Sequence, residues 1–359
     1  MRLLALLLVC SCCSAATFEK LAEEAAAARD ANNVPEAIEL YSEALQQKAA
    51  WSEGWWFLGT LLYDSDQYRR GEDAFAHFVK LDESAAPGWS FLGLCEFETG
   101  DYAQALNHIE RGLGLGTGLP PATVEVLRFH KALLLTKTGL FDQALPQFIP
   151  FARKGSRDPS LIAGIGLAAL RQAALPKEIP AAQQDLVAKA GIAAYFWMAD
   201  EAGQADSAFA ALLTSYPAGA NVHYLYGTYL LASRPRDALA EFERELELNP
   251  HSADARAMTA LLHIRAGDSS AALPYARKAA EDGPTTPMAQ FVFGLLLSEA
   301  GDVSGIEHLE AAERLDPPNL EYHIALAGAY SKFGRHEDAR RERAASIAMA
   351  KESDPRVHK

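Results

Sequence analysis

Apolar residues recur along this chain at helical spacing. Trp55, Leu58, Gly59 and Leu62 follow the order i, i+3, i+4, i+7, and Phe75 and Phe78 continue the pattern on the next stretch. The segment therefore predicts two short amphipathic helices, each with one face to bury. The pattern then repeats. Trp55-Trp56-Phe57-Leu58-Gly59 is echoed by Trp89-Ser90-Phe91-Leu92-Gly93, and 93 minus 59 is 34. The small-residue slot continues through Ala132, Gly166, Gly227, Ala260, Gly294 and Ala327, the last three steps being 33, 34 and 33 residues. Twelve residues after the slot comes a second small residue: Ala37 (after Ala25), Gly71, Ala105, Ala144, Ala272 and Ala339, with Ala238 one position early.

Between the two helices of a unit stands a residue that tolerates left-handed backbone: Asn32, Gly100, Gly139, Gly203, Gly267, Gly301 or Gly334. Asp101, Asp268 and Asp302 follow directly, placed to accept from the unpaired N–H groups of the next helix. Pro250, Pro284 and Pro317 close their units, where a helix cannot continue through them. Helices of about 12 to 14 residues are marginal alone in water, so each pair must be stabilised by its neighbours.

Two places break the period. The step from Gly93 to Ala132 is 39, the extra residues falling in the glycine-rich stretch 112–121, which predicts a lengthened turn. Farther on, Leu161 to Arg171 reads as a first helix, but Pro176-Lys177-Glu178-Ile179-Pro180 stands where its partner is expected, and a further helix is predicted over 183–200. The expected organisation is a leader at 1–16, an array of about four repeats at 17–155, an irregular helix and proline-rich connection at 156–182, an array of about five repeats at 183–351, and a tail at 352–359. The connection is expected to act as a hinge or to turn the array.

On these residues the chain resembles a tetratricopeptide repeat protein. Trp55, Leu58, Gly59, Leu62, Gly71, Phe75 and Phe78 match the family pattern by type, as do Trp89, Leu92, Gly93 and Ala105, and then Phe293, Gly294 and Pro317. The resemblance covers roughly residues 18–346. It implies an all-α fold, a TPR-type α-solenoid of antiparallel helix pairs forming a right-handed superhelix, and an activity of binding other proteins. It also implies that the first helix of each unit lines a concave groove. Applied here, that places Glu53, Trp56, Tyr63, Asp64, Phe97, Glu98, Phe129, Tyr224 and Phe291 in a partner-binding groove. On a helix, Trp55 and Leu58 share the core face while Trp56 turns away, which reads as a contact residue. Family members that grip a C-terminal carboxylate use Lys and Asn, where this chain has Ala22 and Ala26. The expected partner is instead an extended or helical segment with apolar anchors and basic residues facing Glu53, Asp64 and Glu98.

Composition narrows the picture further. With 47 acidic and 33 basic residues the formal net charge is -14, a poor balance for neutralising phosphates, so nucleic acid is not an expected partner. Met1 and Arg2 precede an apolar run from Leu3 to Val9 and the small residues Ser14-Ala15-Ala16, the layout of an export signal. Two outcomes fit it: cleavage near Ala16, or lipidation at Cys12 within Val9-Cys10-Ser11-Cys12. The run is too short to span a bilayer. The expected location is therefore exported, periplasmic or secreted, with a lipid anchor as the alternative. Cys95 is the one cysteine after the leader and reads as a small core residue. The run at 112–118 lacks the Gly-Lys-Ser/Thr of a phosphate loop, and no His-Glu-x-x-His or paired cysteine spacing offers a metal site. No cofactor or catalytic residue is expected. The reading is a noncatalytic scaffold, with a lipid-anchored assembly factor and a cryptic hydrolase as alternatives.

Overall fold

The computed structural model describes residues 17–116 and 118–352. The leader, with Ala16 and Cys12, lies outside the described residues. Among them the secondary structure is wholly helical, in two compact units, Met1–Thr138 and Gly139–Lys359.

The first unit contains α1 (Phe18–Asp30), α2 (Val34–Gln47), α3 (Ser52–Asp64), α4 (Tyr68–Leu81), α5 (Ala86–Thr99), α6 (Tyr102–Leu115) and α7 (Pro121–Lys137). Each helix packs on the next in chain order, so the pairs stack as the period requires. Small slots let the helices approach. A Cβ on Gly59 would stand 2.7 Å from the Phe75 ring, and Phe75 is fully buried there. The glycine-rich stretch is only partly a turn: α6 runs on through Leu115, and Gly112 is a packing residue whose Cβ would stand 2.4 Å from Ser90 Oγ.

The second unit contains α8 (Phe141–Arg153), α9 (Pro159–Ala169), α10 (Gln184–Met198), α11 (Ala202–Ser215), α12 (Val222–Leu230) and α13 (Pro235–Leu248). It continues with α14 (Ala253–Arg265), α15 (Ser269–Asp282), α16 (Pro287–Glu299), α17 (Gly305–Leu315), α18 (Leu320–Lys332) and α19 (His336–Glu352). The first helix of the irregular region does find a partner. α9 packs along α10, and the proline-rich connection, with its 3-10 turns at Pro176–Glu178 and Ala181–Gln183, is inserted between them. This crossing is backbone against backbone: a Cβ on Gly166 would stand 2.1 Å from Val187 O, and one on Gly191 2.1 Å from Ile162 O.

The turns follow the pattern with two differences. Asn32, Gly100, Gly139, Gly267, Gly301 and Gly334 have positive φ as expected, but Gly203 lies within α11 and Asp200 (φ 61) takes the left-handed position instead. Asp101 and Asp268 cap their helices, accepting from Gln104 N and Ala271 N. Asp302 accepts from Ser304 N, inside a turn that delays α17 to Gly305.

A second periodic device joins successive repeats. Four residues before the small slot, a side-chain N–H donates to the carbonyl six residues earlier, in the turn entering the repeat. Trp55 Nε1 donates to Ala49 O (2.8 Å), Trp89 Nε1 to Glu83 O (2.9 Å) and Gln290 Nε2 to Pro284 O (3.2 Å). His223 Nε2 and His323 Nε2 do the same to Pro217 O and Pro317 O, both at 2.9 Å, and Arg256 bonds Pro250 O. These carbonyls sit just beyond a helix end, where no intrahelical donor reaches them. The residue type varies, but each of the six carries an N–H.

Candidate functional site

In the first unit the expected groove residues form an aromatic chain with acidic edges. Trp56 does not stand clear of the core. Its ring meets Phe75 and Phe91 edge-on, at 5.7 and 5.6 Å, and tilts against Phe78 at 5.5 Å, so it packs α3 against α4 and α5 while remaining half-buried. Tyr63 continues the row, edge-on to Phe91 at 5.2 Å and to Tyr68 at 5.5 Å. Phe97 is buried against Tyr102 and His130, and half-buried Phe129 adjoins the same His130. Glu53, Asp64 and Glu98 are exposed.

Electrostatics link the two parts of this row. Burial raises the Tyr63 hydroxyl pKa, and Glu98, Asp64 and Asp66 push it the same way. The Tyr68 hydroxyl donates to Asp66 Oδ1 at 2.5 Å, the main reason its pKa is raised, and Glu98 adds to it. His130 is held below its ordinary value by burial, against the bond its Nδ1 donates to Val126 O and the charge of Glu98. Glu98 thus acts on Tyr63, Tyr68 and His130 together. Phe91, Tyr68 and His130 were not among the residues expected from the repeat register. Phe91 was visible in the repeated aromatic pattern; Tyr68 opens α4 as Tyr102 opens α6, and His130 lies midway along α7 at the position that Phe57 and Phe91 hold, two before the small slot. Cys95 is fully buried beside this row with its thiol pushed up to about 12, which keeps it protonated and unreactive.

The second unit is arranged differently. Tyr224 is buried and Phe291 is only 2% exposed, its ring 4.9 Å from Tyr322 of α18. Such side chains offer a partner little surface. Beside Tyr224 lies Arg171, in left-handed backbone (φ 54) just beyond α9. Arg171 Nη1 bonds Asp142 Oδ1 of α8 at 2.8 Å and lies 3.4 Å from the Tyr224 hydroxyl of α12. Its Nε is 2.8 Å from Asp254 Oδ2 of α14, an ion-pair distance at which the N–H is not aimed at the oxygen. Its guanidinium also faces the Phe141 ring at 5.1 Å. Opposed by burial, the surrounding Tyr224, Asp142 and Asp254 still hold the guanidinium pKa high; burial raises Asp254 despite the arginine.

Two further contacts reinforce this cluster. Asn221 Nδ2 donates to Leu170 O at 2.8 Å, while the fully buried Glu245 of α13 accepts from Asn221 N and Tyr224 N at the start of α12. Gln143 Nε2 of α8 donates to Asp316 Oδ1 at 2.9 Å, across 173 residues of sequence. Asp316 is itself buried, which raises its carboxyl pKa, and it also accepts from Asn319 Nδ2. The start of α8 thereby reaches α9, α12, α14 and the turn after α17, and the second unit folds back on its own first helix.

Both units carry segments recognised by comparison. Residues 58–120 in the first unit and 232–287 in the second match the family model described as Tetratricopeptide repeat. No curated protein sequence matches the chain. Among solved structures, a MamA protein from Desulfovibrio magneticus RS-1 is 18% identical, over 47% of this chain and 97% of its own, with a TM-score of 0.38. Another MamA structure is 17% identical over 46% of this chain and 91% of its own, with a TM-score of 0.37. At these values the likeness does not extend to what those proteins do.

Proposed function

We propose that this chain is a noncatalytic scaffold that binds a protein segment on the aromatic, acid-edged face of its first unit. The observation that carries the reading is the half-buried row Trp56, Phe91, Tyr63 with exposed Glu53, Asp64 and Glu98 around it. Half-buried aromatics give a partner apolar area on side chains already ordered by packing, so little further entropy is lost on binding. The carboxylates select for Lys or Arg beside those anchors. Tetratricopeptide segments in both units support a protein-binding role.

The test uses the exposed acids at the edge of the aromatic face. A helical peptide with Leu and Phe anchors flanked by Lys binds in titration calorimetry, and the triple variant Glu53→Lys, Asp64→Lys, Glu98→Lys loses that binding while its helicity is unchanged. Equal affinity for the same peptide with Glu in place of Lys would sink the reading. Trp56→Ala and Phe97→Ala are poorer tests, because both rings also pack the repeats.

The scaffold works in the cell envelope, on the strength of the leader-like segment before Thr17. Mass spectrometry of the mature protein distinguishes the two forms of this reading: a free Thr17 marks a cleaved, unanchored chain, and a lipid on Cys12 marks an anchored assembly factor. An intact Met1 on protein from the native cell would overturn both.

A further inference from the structure

The helix pair α18 with α19 exposes a face that the repeat pattern covers elsewhere. Ile324 stands three residues before the small slot at Ala327. At that position Trp56 meets Phe91 of the following first helix at 5.6 Å, and Phe291 meets Tyr322 at 4.9 Å. Ile347 stands eight residues after the small residue Ala339, where Leu45, Val79 and Ala280 are all buried. Both isoleucines are instead 56% exposed. On α18 the exposed stripe runs from Leu320 through Ile324 to Gly328, at i, i+4 and i+8. Other repeats carry Thr60, Leu94 or Leu261 at the place of Gly328, and a Cβ on Gly328 would meet nothing within 4 Å. Two charges flank the stripe. Glu321, next to Leu320, is exposed and makes no ion pair among the described residues; Arg343 of α19 is exposed, bonds Ser331 Oγ at the far end of the stripe, and has no carboxylate partner among them.

We propose that this face pairs two copies of the chain about a two-fold axis, their α18 helices antiparallel and Ile324 against Ile324 at the axis. Leu320 of one copy then lies opposite Gly328 of the other, so a large side chain enters the gap left by a missing one at both ends of the stripe. The axis also brings Glu321 of each copy toward Arg343 of the other, supplying the opposite charge that each lacks. The stripe is complementary to itself in shape and in charge. The first repeat offers no such counterpart. Five and two residues before its slot at Ala25, α1 carries exposed Lys20 and Glu23, where α5 sets Gly88 against Val79 and Phe91 against Trp56. Burying those charges under isoleucine is costly, so α18 meets its own copy rather than α1 of another. The pairing is separate from the aromatic face of the first unit and does not depend on it.

Sedimentation velocity of the full chain over a wide concentration range should show a reversible equilibrium of monomer and dimer, with nothing larger. Ile324→Glu sets two carboxylates against each other at the axis and weakens the dimer by about tenfold or more. Gly328→Leu fills the seat of Leu320 and weakens it by about the same factor, while the helicity of the chain is kept, since the added side chain begins in open space in its own copy. Glu321→Arg or Arg343→Glu alone weakens the dimer by about fivefold or more, and the two together restore it, because each copy then offers the reversed pair. A chain that stays monomeric, assembly that grows past the dimer, a dimer indifferent to Gly328→Leu, or a double charge swap no tighter than the single ones would each overturn the proposal.

Discussion

The same helix-pair motif is used in two ways. In the first unit, first-helix aromatics pack partway and leave Trp56, Phe91 and Tyr63 half-buried beside exposed acids. In the second, the corresponding region is engaged internally: Arg171 joins α8, α12 and α14, and Gln143 reaches Asp316. A repeat does not specify by itself whether its inner face meets a partner or its own chain. The residues that depart from the period decide that, and Arg171 belongs to the inserted stretch.

The largest expected effect tests the tightest crossing in the second unit. Gly166→Val sets a side chain 2.1 Å from the Val187 carbonyl, which cannot move without shifting α10, so destabilisation should reach the top of the roughly 1–3 kcal/mol range for overpacking. Gly59→Ala in the first unit meets the Phe75 ring instead, which can tilt, and should cost less. Chemical denaturation of the two variants gives the order, and a larger loss for Gly59→Ala would reverse the comparison.

Next comes the cluster itself. Arg171→Met leaves Asp254, which is mostly buried, without its cation and should destabilise the second unit by about 3 kcal/mol. Hydrogen exchange resolved by peptide should show faster exchange in α8, α9 and α12 and no change in α1 to α6. Uniform loss of protection in both units would mean that the cluster is not local to the second.

The smallest effect is one of sign, and it contrasts one histidine in each unit. His130 is held below its ordinary value of 6.5, chiefly by burial, so its contribution is present above 6.5 and lost as pH falls through its lower folded value. His323 is raised above 6.5: burial opposes its charge, but Glu342 at 2.7 Å and Pro317 O outweigh it. Its contribution is complete below 6.5 and lost as pH rises through its higher folded value. His130→Gln should therefore reduce the acid sensitivity of the first unit, and His323→Gln should flatten the alkaline side for the second. Slopes of stability against pH for each variant check both signs.

Much of this was readable in the sequence because helix pairing is local. The spacing of Gly59, Gly93 and their successors located the close crossings, and the turn residues fell where expected except at Gly203, displaced because Asp200 had already taken the left-handed position. The donor slot was also legible in principle: Trp55, Trp89, His223, Arg256, Gln290 and His323 share no size or charge, only an N–H. A search for residue type conceals that pattern, whereas a search for hydrogen-bonding capacity finds it. The placement of Phe97, Tyr224 and Phe291 was less legible. Successive first helices adjoin one another, as α16 does α18, so a position aimed at a groove also faces the next repeat, and packing decides how much surface remains.

The sequence alone determined that the chain is built of short helix pairs, where each pair closes and which residues lie between them, because those features depend on neighbours within one period. Only the tertiary structure decided that α9 is paired with α10 across an insertion, that Arg171 is buried among side chains from three other helices, and that Gln143 meets Asp316. Contacts spanning many repeats depend on the accumulated curvature of every intervening helix pair, and no single period contains that sum.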